Sequence, residues 1–104
     1  MDYRIIKSPS SGTMDILFRR KGSAPTVPFG KYDAVGLVQG RLIDMVFAAD
    51  IAEKAAGVVV EDIKGHCPQN LIMIAIFGDT ASVEAAIAEI KYKLKEAKTG
   101  EVRC

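Results

Sequence analysis

The chain has 104 residues, 49% of them hydrophobic and 26% charged, with a formal net charge of +1. That is one domain, and its charge balance lacks the concentrated basic footprint that nucleic-acid binding needs. Two cysteines, Cys67 and Cys104, are too few for a secreted disulfide scaffold, no apolar run is long enough to span a bilayer, and the N-terminus lacks a signal-peptide pattern. The expectation is a cytoplasmic protein with reduced thiols, bound to neither membrane nor nucleic acid.

Tyr3 to Lys7 reads as a short strand, broken by Ser8-Pro9-Ser10-Ser11-Gly12. Thr13 to Arg19 places Met14, Ile16 and Phe18 in alternation and predicts a second strand. Gly22 to Gly30, with Pro25 and Pro28, reads as a linker. It divides an N-terminal strand extension, 1–30, from a body, 31–104, within one structural domain.

The body reads strand, helix, strand, strand, helix. Ala34 to Val38 is a buried-type strand, and Arg41 to Ala56 a helix closed by Gly57. That helix is apolar on more than one face, through Leu42, Ile43, Met45, Val46, Phe47, Ala48 and Ile51. Such a helix must be covered on most sides, and a neighbouring subunit is the economical cover. Val58 to about Ile63 and Leu71 to Phe77 form an antiparallel pair around a short loop. Asp79 or Thr80 caps the last helix, whose stripe is Val83, Ile87, Ile90 and Leu94. The tail from Lys98 reads as polar, ending in a short edge strand. The order predicts an α+β fold: a ferredoxin-like two-layer sandwich, an antiparallel sheet with both helices on one face.

Asp33-Ala34-Val35-Gly36-Leu37-Val38, then Ala48 to Ala56, then Val58 to Glu61, resemble the shell domain of bacterial microcompartments (the BMC domain). The resemblance continues through Ile74 to Ala86, with its Gly78-Asp79 step, and covers roughly Asp33 to Leu94. The strands expected at the front look like the circularly permuted subclass. The resemblance implies a non-enzymatic shell protein, a homohexamer packing laterally with other shell proteins in the microcompartment shell.

By position, Lys64, Gly65, His66, Cys67, Pro68, Gln69 and Asn70 correspond to the family's pore loop. Gly65-His66-Cys67-Pro68-Gln69 resembles the pore motif of the GrpU group, from glycyl-radical microcompartments. The resemblance implies an iron–sulfur cluster bound through Cys67. One thiol cannot hold a metal centre, but a ring presents it once per subunit. Three alternate chains, each giving one thiolate, would suit a cubane. Pro68 stiffens one side of the thiol and Gly65 frees the other. His66 is a ligand, a second donor or an exposed side chain; Cys104 is given no role.

Two other functions compete. An enzyme with Cys67 as nucleophile and His66 as base lacks an orienting third group, and adjacent loop residues seldom face each other. A small cytosolic ferredoxin-like regulator binding a metabolite at a subunit interface is the alternative. It would show saturable ligand binding and no lateral assembly.

Overall fold

A computed structural model describes residues 1–20, 32–55, 57–64 and 71–103. The elements run β1 (Asp2–Lys7), α1 (Ser11–Arg20), β2 (Ala34–Arg41), α2 (Leu42–Lys54), β3 (Val58–Ile63), β4 (Leu71–Gly78) and α3 (Thr80–Arg103). The strands form one antiparallel sheet in the order β1-β2-β4-β3. From β2 onward the chain follows a β-α-β-β-α path, and the strand that would close that unit after α3 is replaced by β1 at the edge beside β2. The edge strand comes from the front of the chain, which is a circular permutation read directly from the topology.

Strand alternation sorts the sheet into two faces. Ala34, Val38, Ile74 and Ile76 pack with Met45, Ala48 and Ala52 of α2 and with Val83, Ile87 and Ile90 of α3. On the other face Val35, Ile63, Ala75 and Phe77 pack with Met14 and Leu17 of α1. Phe77 stacks on Phe18 at 5.8 Å between ring centroids, and Tyr32 tilts against it at 5.3 Å. Gly36 lets α3 approach β2 closely: a Cβ there would lie 3.0 Å from the side chains of both Val83 and Ile87.

Three expectations are corrected. The predicted second strand, Thr13 to Arg19, is part of helix α1. Its ten residues fit either period, but the buried pair is Met14 and Leu17, three apart, while Ile16 is 49% exposed. Ser10 caps the helix: its Oγ accepts from the Thr13 backbone N–H at 3.2 Å, and its carbonyl from that of Met14 at 3.0 Å. The N-terminal extension is therefore one strand and one helix. The predicted helices, α2 and α3, do share one face, but α1 covers the other. The tail forms no edge strand; α3 continues to Arg103, in a stretch of Lys, Glu and Ala without proline. The start of α2 also moves by a residue, since Arg41 closes β2 against Leu71, and the helix ends at Lys54 with Ala55, not Gly57, as its C-cap. The predicted linker, Gly22 to Gly30, lies outside the described residues.

Asp79 caps α3. Its Oδ1 accepts from the Ser82 N–H at 2.8 Å and its Oδ2 from the Ser82 hydroxyl at 3.1 Å. Those bonds hold the carboxyl below its usual range. The stabilisation is complete above the ordinary aspartate pKa and is lost as pH falls through the lowered, folded value. Asp79→Ala is expected to lower the urea midpoint at pH 7, with the gap to the parent closing in acid; an equal gap at pH 7 and pH 2 would contradict the cap.

Candidate pore loop and oligomer face

The β3–β4 connection sits where several elements end together. Ile63 pairs with Met73 on one side of it, and Arg41 pairs with Leu71 on the other, one residue before α2 begins. The exposed Lys64 donates its backbone N–H to the carbonyl of Arg20, the last residue of α1, at 2.6 Å. The root of the loop is thus fixed by both strands of the hairpin and by the C-terminus of α1. The sequence reading missed this anchor because it missed α1; the Ser10 cap after Pro9 was the signal that could have found it.

Of the predicted pore-loop residues, Lys64 stands at this root. Gly65, His66, Cys67, Pro68, Gln69 and Asn70 lie outside the described residues. Among the described residues no group of three or more His, Cys, Asp or Glu side chains could hold a metal ion. No described helix is long and apolar enough to cross a membrane.

The second feature is the outer face of α2. Its inner face buries Met45, Ala48, Ile51 and Ala52. Its outer face leaves Leu42 49%, Ile43 64%, Val46 62% and Phe47 39% exposed. These positions fall at i, i+1, i+4 and i+5, so they make one continuous stripe. Beside it, a groove of about 750 Å³ runs between α2 and α3, lined by Phe47, Ile51, Ala81 and Ala85 among others. The charged residues at its edges pair within their own helices: Lys54 with Asp50 at 2.8 Å and Lys93 with Glu89 at 3.6 Å. Such exposed pairs contribute roughly 0–1 kcal/mol each and do not converge on a point in the groove. The expectation that α2 is apolar on more than one face holds. Four large apolar side chains in a row on one surface are characteristic of a protein–protein contact.

Residues 34–103 match the model of the BMC domain. The chain belongs to the BMC domain family. It is 56% identical to the GrpU microcompartment shell protein from Clostridiales bacterium 1_7_47FAA, covering 95% of this chain and 98% of that one, with a TM-score of 0.74. The GrpU shell protein from Pectobacterium wasabiae is 36% identical, over 86% of this chain and 99% of that one, with a TM-score of 0.67. A fused permuted hexameric shell protein of the RMM microcompartment matches at a TM-score of 0.68. It is 18% identical, over 90% of this chain and 45% of that one, and supports the permuted fold alone. No protein with a curated description matches. The BMC chain is thus a microcompartment shell protein, a structural part and not an enzyme, and the regulatory alternative gives way to this assignment.

Proposed function

We propose that this BMC protein is a hexameric tile of a microcompartment shell, closed into a ring through the outer face of α2 and pierced by a pore lined by the 64–70 loop. The observation that carries the reading is the exposed stripe of Leu42, Ile43, Val46 and Phe47. A cyclic ring is built from heterologous contacts, each subunit offering one patch to a different patch of its neighbour. An apolar stripe on one side of a small domain suits that geometry, because covering it removes apolar surface from water once per subunit. Tiles of this kind pack laterally with other shell proteins.

The pore loop carries the second part of the proposal. One chain offers one thiol there, Cys67, beside His66. This donor set suits an iron–sulfur cluster only if several subunits share it, since such clusters are held by several thiolates. When bound, the cluster supplies one-electron transfer across the shell. The chain's own part is to hold the loop root rigid through the β3–β4 pairing and the bond from Lys64 to Arg20. Small metabolites are the other traffic such a pore could carry.

The test is anaerobic purification, with iron content and visible absorption measured beside Cys67→Ser. One four-iron cluster per six chains is about 0.7 iron per chain. Brown protein near that value, with colour and iron lost in Cys67→Ser while the ring persists on size exclusion, is the expected result. A colourless, iron-free ring that resists reconstitution would remove the cluster and leave the tile.

A further inference from the structure

We infer that the patch receiving the α2 stripe in the ring is the β1–α3 flank of the neighbouring copy, with Met1, Ile5 and the pocket beside Tyr3 as its seat. The inference rests on the ring reading above and names the other half of its contact.

A head-to-tail ring needs two different patches on flanks that face opposite ways. The sheet order puts β1 at one edge and β3 at the other. In the helix layer α2 lies over β3 and β4, while α3 reaches β1. Lys7 of β1 pairs with Glu84 of α3 at 3.4 Å, and Lys91 of α3 lies 4.8 Å from the centre of the Tyr3 ring. β1 and α3 therefore form one flank, and the outer side of α2 belongs to the other.

Exposed apolar side chains single out the second patch. Outside α2, the large ones among the described residues are Met1, Ile5, Ile16, Val59 and Tyr92. Ile16 is on α1, across the sheet, Val59 is on β3, at the α2 edge, and Tyr92 is flanked by Glu89 and Glu96 on α3. Met1 and Ile5, 42% and 37% exposed, share strand parity with Tyr3, which packs against the helix-side core. Beside them a pocket of about 350 Å³ opens between β1 and α3, lined by Met1, Tyr3, Lys91, Leu94 and Lys95. The two patches also match in radius. Asp2 pairs with Gln39 and Arg41 with Leu71, so Met1 and the start of α2 both stand at the end that carries the β3–β4 connection. Around an axis passing that connection, Leu42 and Ile43 of one copy and the pocket of the next lie at similar distances from it, as a ring contact requires.

The two flanks also differ in sign. From α2 through β3 to Lys64, the charges reaching solvent are Asp44, Asp50, Glu53 and Asp62 against Lys54 and Lys64, a surplus of two negatives. On β1 and the β1 side of α3 they are Arg4, Lys7, Lys91 and Lys95 against Asp2 and Glu84, a surplus of two positives. Glu89 and Lys93 line the groove toward α2, and Glu96, seven residues after Glu89, shares their side; counting all three leaves the second surplus positive. Glu61 is buried and has a partner of its own. On the α1 face, Asp15 and Asp33 cancel Arg19 and Arg20. A symmetric contact of stripe against stripe would bring two acidic surfaces together, whereas stripe against β1–α3 flank joins opposite signs. Apolar match, radius and charge thus select a second copy, seated head to tail.

The test mixes two full-length variants that each spoil one half of the contact. Val46→Asp spoils the stripe and keeps the β1–α3 flank; Ile5→Asp does the reverse. Each alone is expected to raise the concentration at which the ring dissociates about hundredfold or more, since the carboxylate is buried without a partner. Their equimolar mixture, at the highest concentration that leaves each alone monomeric, is expected to show a one-to-one pair by native mass spectrometry. The intact stripe of one chain then meets the intact flank of the other. Lys91→Glu with Lys95→Glu, at the pocket rim, is expected to weaken the ring about tenfold or more, and Ile16→Asp, across the sheet, less than about twofold. A ring that survives Ile5→Asp but not Val46→Asp would overturn the inference and leave the stripe in its place. Dimers of Ile5→Asp with itself, or no pair in the mixture, would overturn it as well. A ring that survives Val46→Asp would count against the stripe itself, which keeps that failure distinct. Circular dichroism reports whether each chain is folded; if Ile5→Asp is not, the lysine reversal takes its place in the mixture with the same expected pair.

Discussion

Val46→Asp is expected to convert the ring to monomers while leaving each chain folded. Val46 is 62% exposed on α2, so in a lone chain the new carboxylate stays in water. Valine and aspartate also have similar helix propensities, so the helix itself loses little. In a ring that covers the α2 stripe the same carboxylate loses its water without a partner. That costs several kcal/mol at each interface, and every interface carries one copy. Size exclusion should show the shift to one-chain mass, with circular dichroism and the urea midpoint close to those of the parent. Ile43→Asp, 64% exposed on the same stripe, should act the same way. A ring that survives both changes would place the subunit contact elsewhere.

The second large effect is on the other face of the sheet. Phe77→Ala is expected to cost about 3–5 kcal/mol, measured by urea unfolding. Phe77 is 1% exposed near the end of β4 and holds both Phe18 of α1 and Tyr32. Cutting the ring away leaves a void between α1 and the sheet that neighbours fill only in part. Small domains have roughly 5–15 kcal/mol in total, so this one change removes a large share. Phe77→Leu should fall between. The loss also reaches the β3–β4 connection: α1 holds its root through the Arg20 carbonyl, so exchange of the Lys64 amide proton should quicken. A change below about 1 kcal/mol would mean that the packing of α1 contributes little.

These two positions also show what the sequence made legible. The body was readable because its periods are unambiguous. Leu71 to Phe77 is an unbroken apolar run of strand length, and Val83, Ile87, Ile90 and Leu94 recur at helical spacing. The excess apolar character of α2 pointed to an apolar outer face, which is the exposed stripe of Leu42, Ile43, Val46 and Phe47. Short segments defeated the same reasoning. In Ser11 to Arg20 the apolar residues Met14, Ile16, Leu17 and Phe18 satisfy both a two-residue and a helical period, and local capping by Ser10 decides between them. With α1 misread as a strand, the second covered face of the sheet and the anchor at Lys64 were invisible. The tail was misjudged for a related reason, since a polar stretch gives no apolar period to follow, and there α3 simply continues to Arg103. The proposed pore loop is a motif around Cys67 in the sequence alone. Its chemistry depends on how many copies meet, and a single chain does not encode that number locally.

The number of copies is accordingly the quantity to measure first. Native mass spectrometry of the anaerobically purified protein, at micromolar concentration, counts the chains directly. The hexameric tile predicts a dominant species of six chains, with any cluster appearing as one mass increment per ring. A dominant monomer or dimer would contradict the ring and, with it, a pore shared by six loops.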